Sequence, residues 1–435
     1  MKYTIQLLLI FFVFLASCSE DEERFEITMP LSGIHFKPIQ GGAVMYYKVP
    51  KNRDVFSIQV AYTDAVGNQI VKQGSYACDS LELTGFNEGR EVPVSISLRD
   101  RNDRESEKVE TTFKTLDSAP VAFFYKADVQ PYWNGFQVTY EGPELVEGFA
   151  NVFFIGTNPM TKKLDTLLLK TVPIKSGKDT LLFSLDKPEA THTVVIRTEN
   201  FQGYKVKQQI WNNVEAYNTA KLDNSGFELL DPLGLSREND NTKLSWKYLF
   251  DGDTKGTRRL ASTVTAHQYT FSAGMYAVGK YVILDIKEPK MVSNIRLYGI
   301  LNTTKGWPND ASPSGAVWGS RYYNKLPNEV TVYASNDKDD DNSWVEVAYF
   351  YESPNVTESS WMHAAYSTAQ KISSVEELEA ADPAYLSLDF PTDPKEYRYF
   401  KIEVNSTFNT VESKGDKNGW ENVTFHEIEV YAKKD

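Results

Sequence analysis

Apolar and polar positions alternate along most of this chain, and turn-forming residues interrupt the alternation at short intervals. Residues 43–49 (AVMYYKV) read as an apolar strand, and residues 55–62 (VFSIQVAY) alternate apolar and polar positions. That period is the period of a strand with one buried face. The segment DAVGN at 64–68 supplies a hairpin turn, with Gly or Asn able to take positive φ. Residues 92–98 (VPVSISL) alternate again, and residues 108–114 close a first unit at 25–118. Several strands at this spacing, over about 100 residues, predict an immunoglobulin- or fibronectin-III-like sandwich.

A linker, LDSAP at 116–120, leads to a second unit of the same kind at 119–216. Its expected strands are 135–140, 150–156, 165–172, 179–185 and 191–198. Residues 217–435 differ: Trp is denser and the loops are longer. Strands are expected at 281–286, 292–300, 344–348, 397–404 and 425–432, and the stretch 326–337 runs from a turn through a strand to an acidic loop. The loops 303–323 and 351–387 are long for a compact domain, which marks them as functional or disordered. One short helix is expected at 374–381, where Ser374 and Glu377 form the spacing of a capping box.

The first residues follow another pattern. Met1-Lys2 precedes an apolar run at 5–16, IQLLLIFFVFLA. The run is shorter than the roughly 20 residues a membrane-spanning helix needs, so residues 1–17 read as a cleaved export signal. The segment Leu15-Ala16-Ser17-Cys18 resembles a bacterial lipobox, which implies acylation of Cys18. An acidic stretch, SEDEE at 19–23, follows within a tether at 18–24. It resembles the surface-export signal of Bacteroidetes lipoproteins, which implies display on the outer face of the outer membrane. The only other cysteine, Cys78, is expected to be a small buried residue in a strand.

Composition narrows the function. A net charge of -13 disfavours nucleic acid, and no Lys/Arg-rich run offsets it. The five histidines, His35, His192, His267, His363 and His426, form no H-E-x-x-H pattern. No nucleophile elbow, P-loop or dinucleotide fingerprint occurs. Three small sandwiches leave no room for a (β/α)₈ barrel of about 250 residues. Catalysis therefore finds little support in the sequence, although the abundant Asp and Glu leave a paired-carboxylate glycosidase site open.

The stretch WKYLFDGDTKGT at 246–257 concentrates hard oxygen donors: Asp251, Asp253 and a hydroxyl at Thr254 or Thr257. Such donors suit Ca²⁺. An EF-hand is excluded, because Lys255 and Ser262 fall where that loop needs ligands. Aromatic and polar side chains crowd the neighbouring loops: His267, Tyr269, Trp307, Trp318, Arg321, Tyr322, Tyr323, Trp361 and Trp420. Loop aromatics of this kind are candidates for stacking on sugar faces.

In order along the chain stand Asp251-Gly252, the strand at 282–286, the segment LPNEVTVYAS at 326–335, Trp344, RYFKI at 398–402 and EIEVY at 427–431. This ordered set resembles the discoidin, or coagulation-factor type C, family, which includes many carbohydrate-binding modules. The resemblance implies an antiparallel jelly-roll sandwich over 217–435. It also implies a structural Ca²⁺ held by Asp251, Asp253, Thr257 and Glu427. Residues 25–216, with phrases such as GGAVMYYKVP and VAYTDAVGNQ, resemble the paired sandwich domains of Bacteroidetes surface lipoproteins from polysaccharide-utilisation systems, which implies a spacer role.

The expected protein is all-β: two immunoglobulin- or fibronectin-III-like sandwiches followed by a discoidin-like jelly roll. Its expected function is non-catalytic capture of a polysaccharide at the cell surface, beside a transporter or surface enzymes of the same system. The alternatives are a surface lipoprotein that docks a partner membrane protein and, with least support, a glycan-active enzyme.

Overall fold

The computed structural model describes residues 25–434 except 147, 188, 275, 305–321, 356, 367–371 and 409–421. The leader, the tether and Cys18 lie outside the described residues. The chain is all-β. Packing gathers it into two compact units. The first comprises the described residues through Gln130 with Phe136–Phe183 and Thr191–Val214; the second comprises Pro131–Gly135, Ser184–Ala190 and the chain from Glu215 onward.

The first unit holds two sandwiches. In the first, β1 (Ile34–Ile39), β2 (Gly42–Tyr47) and β5 (Ser80–Thr84) form one sheet in the order β1-β2-β5. The facing sheet contains β3 (Val55–Thr63), β4 (Gln69–Ser75), β6 (Glu91–Asp100) and β7 (Val109–Lys114), in the order β4-β3-β6-β7. Alternate residues of each sheet point inward and meet in one core, with Ala43, Met45 and Leu83 facing Ile58, Val60, Ile96 and Phe113. The expected turn is present: the Asp64 amide donates to Asn68 O at 2.9 Å, with Gly67 at φ +91°. Cys78 departs from expectation. It lies in the irregular link between β4 and β5 and is exposed. The strand β4 ends at Ser75 and β5 begins at Ser80, so the segment YACD between them has no sheet face to bury.

In the second sandwich, β8 (Asp128–Tyr132), β9 (Gly135–Gly142) and β12 (Gly177–Ser184) pair in the order β12-β9-β8. Opposite them lie β10 (Phe149–Thr157), β11 (Leu164–Pro173), β13 (Thr191–Glu199) and β14 (Lys205–Glu215), in the order β11-β10-β13-β14. Phe136 stacks on Phe183 at 5.1 Å between ring centres, and Val152, Val194 and Ile196 are fully buried.

The second unit is built around two antiparallel sheets. One runs β15 (Thr219–Lys221), β25 (Ile428–Lys433), β19 (Val292–Gly299) and β22 (Ala384–Asp389). The other runs β16 (Glu228–Leu230), β18 (Lys280–Lys290), β23 (Tyr397–Thr407), β20 (Pro327–Ser335) and β21 (Val345–Tyr351). A short pair, β17 (Phe271–Ala273) with β24 (Val423–Phe425), closes one margin. Leu284, Ile295, Leu297, Val332, Phe400, Ile402, Ile428 and Val430 form the common core. The strand expected at 281–286 instead runs from Lys280 through Pro289 to Lys290. A register shift between Asp285 and Lys290 absorbs the proline, with Lys287 at φ +75°. The expected helix is present as Val375–Ala380, where Ser374 Oγ accepts from the Glu377 amide at 3.1 Å. Among the described residues no helix is long and apolar enough to cross a membrane.

Candidate functional site

The loop at 246–257 and the start of β25 do meet. Ser245 caps the 3-10 turn Trp246–Phe250 by accepting from Lys247 N, while Tyr248 and Leu249 anchor the turn in the core. Two glycines then bend the chain, Gly252 at φ +81° and Gly256 at φ +92°. A Cβ on Gly256 would lie 2.7 Å from Ile300 Cγ2, so only glycine lets the loop pack there.

Asp253 is the hub of the loop. Its Oδ1 accepts from Gly256 N and Thr257 N at 2.8 Å and from Lys255 N at 3.3 Å; its Oδ2 accepts from Arg258 N at 2.8 Å. His426 Nε2 lies 3.6 Å from Oδ2, and both side chains are buried. Burial pushes the Asp253 carboxyl up, but His426 and the backbone donors outweigh it and hold the group well below its ordinary value. Thr257 joins this arrangement through its amide.

Glu427, the residue just before β25, completes the brace. It is fully buried. Its Oε1 accepts from Asn224 Nδ2 at 2.8 Å, and its Oε2 accepts from the amides of Asp251 and Gly252, each at 3.2 Å. Burial, then the neighbouring Asp251 carboxylate, pushes the Glu427 carboxyl up to about 8, against the lowering effect of these donors. Burial likewise raises Asp251.

Among the described residues, no three Asp, Glu, His or Cys side chains converge as a metal-binding group. Asp251 and Glu427 still present what a divalent cation answers: two adjoining, poorly solvated carboxylates. Asp251 Oδ2 is buried without an aligned hydrogen-bond donor, its nearest cation being Arg258 Nη1 at 3.1 Å. Hard carboxylate oxygens in this setting fit Ca²⁺. Asp253 and Glu427 both have their two oxygens engaged by donors, so of this set only Asp251 Oδ2 is buried without one, and Asp253 also shapes the loop.

The aromatic candidates separate by burial. Tyr269 (φ +51°) and His267 are half-buried beside the loop. The Tyr269 hydroxyl lies 3.2 Å from His267 Nδ1, and the Tyr269 ring meets Tyr248 edge-on at 5.5 Å. Tyr322 is no surface contact. It is fully buried among Leu244, Ile300, Leu326 and Met362, and its hydroxyl accepts from Ile300 N at 3.0 Å. Tyr323 and Trp361 pack against the same cluster. Trp361 is half-buried and also donates its ring N–H to Pro327 O at 3.0 Å, so its packed surface and its polar edge serve the fold. Trp307, Trp318, Arg321 and Trp420 lie outside the described residues.

A different surface brings aromatic and polar groups together. A groove of about 620 Å³ runs between β16, the start of β18 and the loop after β20. Trp246 and Tyr281 form its half-buried aromatic walls, with Leu230 and Ile283, register partners across β16 and β18, beneath them. Asp231, Glu238 and Asp339 stand at its rim with Lys338. Trp246 is fixed by its amide, which donates to Glu238 Oε1 at 3.1 Å, and by its ring against Phe250 at 6.3 Å. Asp231 holds the rim loop by accepting from Leu235 N at 2.9 Å and Ser236 N at 2.6 Å. The aromatic surface continues past Tyr281: Lys401 Nζ lies 4.8 Å from that ring and 4.3 Å from the ring of Trp344.

Residues 29–115 match the profile of a domain of unknown function, DUF4959. No curated protein matches the chain. Among solved structures, a SusE-like protein aligns at 14% identity and TM-score 0.39, covering 72% of this chain and 99% of its own. A carbohydrate-binding module, CBM32-1 of a family 31 glycoside hydrolase from Clostridium perfringens, aligns at 13% identity and TM-score 0.25, covering 47% of this chain and 94% of its own. An F5/8 type C domain from Bacteroides fragilis aligns at 12% identity and TM-score 0.23, covering 50% of this chain and 98% of its own.

The groove was readable in part. Trp246 opens the oxygen-rich stretch, and Tyr281 occupies an outward position of the YVILDI strand. What the sequence does not carry is the approach of β16 and the 231–238 loop, which turns two separate rings into one surface.

Proposed function

We propose that the protein is a non-catalytic glycan-binding lipoprotein of a Bacteroidetes outer membrane, anchored through Cys18 and displayed on the cell exterior. The observation that carries this reading is the groove walled by Trp246 and Tyr281. Its volume falls in the range of small-ligand pockets, it has apolar ring faces, and its rim carries carboxylates and a lysine. Ring faces accept the C–H face of a sugar, and the rim groups pair with its hydroxyls. The discoidin-like order of motifs in the C-terminal unit and the lipobox at 15–18 support the same reading.

In this reading Asp251 and Glu427 would hold a structural Ca²⁺. The ion would neutralise two carboxylates that otherwise repel each other, and so lock the loop that starts at Trp246. Asp253 shapes that loop and Ser245 caps it. The two N-terminal sandwiches act as spacers in the chain between the anchor and the C-terminal unit, which works beside transport or processing proteins of the same system.

A panel of soluble polysaccharides in affinity electrophoresis, followed by calorimetry on the retarding ones, tests the proposal. Binding to at least one glycan is expected, weakened about tenfold or more by Trp246→Ala and by Tyr281→Ala, as for aromatic anchors of an interface. A folded protein that binds no glycan across the panel would overturn it, as would binding that both variants leave unchanged.

A further inference from the structure

Four cations gather at one end of the first sandwich although the chain as a whole carries a net charge of -13. Lys48, Lys51, Arg53 and Arg101 line an open cavity of about 540 Å³. All four are exposed. Among the described residues none of them makes an ion pair. Asp79 is the single carboxylate in the lining, and Tyr76 stands at the margin with 63% of its surface exposed.

The place of this cluster matters as much as its charge. The first described residue, Phe25, donates its amide to Glu105 O at 3.2 Å and pairs with Ser106. Both partners belong to the link between β6 and β7, which also carries Arg101. The chain therefore enters the first sandwich at the end that bears the cations. Residues 18–24, even fully extended, reach no more than about 25 Å. If Cys18 is acylated, as proposed above, the cationic end is held within that distance of the lipid headgroups.

We infer that this end of the first sandwich is a membrane-docking surface for anionic lipid headgroups. Cations near an anionic leaflet gain affinity individually and act together. An exposed tyrosine at the margin suits the headgroup layer, where a ring with a polar tip is at home. Docking would fix the tilt of the protein on its tether, which a single flexible attachment does not do. The cations are scattered at 48, 51, 53 and 101, so the patch exists only once β2, β3 and β6 have come together.

Vesicle co-sedimentation of the full mature chain with Cys18→Ser, which removes the acyl group, isolates this surface. The protein is expected to sediment with vesicles containing one-third phosphatidylglycerol at low salt, and to stay in solution with pure phosphatidylcholine or at high salt. Replacing all four cations with Gln should weaken binding by roughly fivefold per charge. Replacing Lys162 and Lys163, exposed in the second sandwich, should leave it unchanged. An unchanged melting temperature in each variant keeps the comparison clean. Equal sedimentation with both vesicles, no sedimentation with either, or an equal loss from the control lysines would overturn the proposal. So would full displacement by inorganic phosphate at constant ionic strength, which would make the cluster a site for a free anion. Metabolic labelling of the wild-type chain with a fatty acid tests the anchor separately.

Discussion

Asp251 and Glu427, 176 residues apart, are joined by a hydrogen bond of 3.2 Å from the Asp251 amide to Glu427 Oε2. Their carboxylates also repel each other, and this contributes to a raised Glu427 that titrates at about 8. The same contact thus ties the first loop of the C-terminal unit to its last strand and stores an unfavourable charge there. A backbone donor stabilises the pair, but it does not cancel two buried negative charges.

The raised carboxyl sets a pH dependence. Glu427 has an ordinary value of 4.5 and a folded value of about 8. Between these values the folded state binds more protons than the unfolded state, so stability falls as pH rises through the window. The fall from pH 5 to 8 is on the order of a few kcal/mol. Glu427→Gln keeps a neutral acceptor and should flatten this part of the profile. Thermal melts of both proteins in chelator, across pH 5–8, read the difference. Parallel profiles would remove Glu427 as the cause.

A cation should reverse that loss. An ion held by Asp251 and Glu427 in the folded state only stabilises by mass action, about 2.7 kcal/mol at a hundredfold excess over its Kd. Added Ca²⁺ is therefore expected to raise the melting temperature at pH 8 and to have less effect at pH 5, where Glu427 is protonated. Asp251→Asn and Glu427→Gln should each abolish the increment. Melts with and without Ca²⁺, with elemental analysis of the purified protein, give the answer; no bound calcium and no shift would eliminate the site.

Two glycines with similar φ separate crowding from backbone strain. Gly256 (φ +92°) has Ile300 Cγ2 at 2.7 Å from a hypothetical Cβ, whereas Gly67 (φ +91°) has nothing within 4 Å. Gly67→Ala should cost about 1 kcal/mol from the left-handed backbone alone. Gly256→Ala should cost about 2 kcal/mol more, because Ile300 must shift within a packed core. Denaturant titration of each variant measures both. Equal losses would mean that Ile300 moves aside freely.

Much of this architecture was written in the alternation of the chain. VFSIQVAY became β3, YVILDI became the body of β18, and RYFKI fell within β23; RYFKI carries one buried face at period two, whereas residues 57–60 and 282–286 are buried on both faces. The strand β1 is not legible in the sequence because His35, Lys37 and Pro38 dilute its pattern. The oxygen-rich loop and EIEVY also came together as expected. The aromatic candidates fared differently for a physical reason. A tyrosine in a sequence-defined loop, such as Tyr322, can turn its ring wholly inward when Met362, Leu326 and Ile300 supply the pocket. The cationic end of the first sandwich was illegible because its members are joined only by tertiary structure.

Cys78 makes a direct test of local exposure. It is a free thiol outside the strands and open to solvent. Titration of the native, unacylated Cys18→Ser protein with a thiol reagent is expected to modify it quickly, without denaturant. Protection until unfolding would place Cys78 inside the fold instead.

Trp361 and Trp246 should respond in opposite ways to truncation. Trp361 packs its ring near Phe408, at 6.4 Å, and against the core, and it donates to Pro327 O at 3.0 Å. Trp361→Ala removes that packing and leaves a backbone acceptor without its donor, a loss of about 3 kcal/mol or more. Trp246 sits half-exposed on the groove wall, so Trp246→Ala should cost less stability and more glycan affinity. Denaturant titration and calorimetry on both variants give a two-by-two comparison. If Trp361→Ala instead preserved stability and abolished binding, ligand recognition would lie at its loop, and the groove would lose its role.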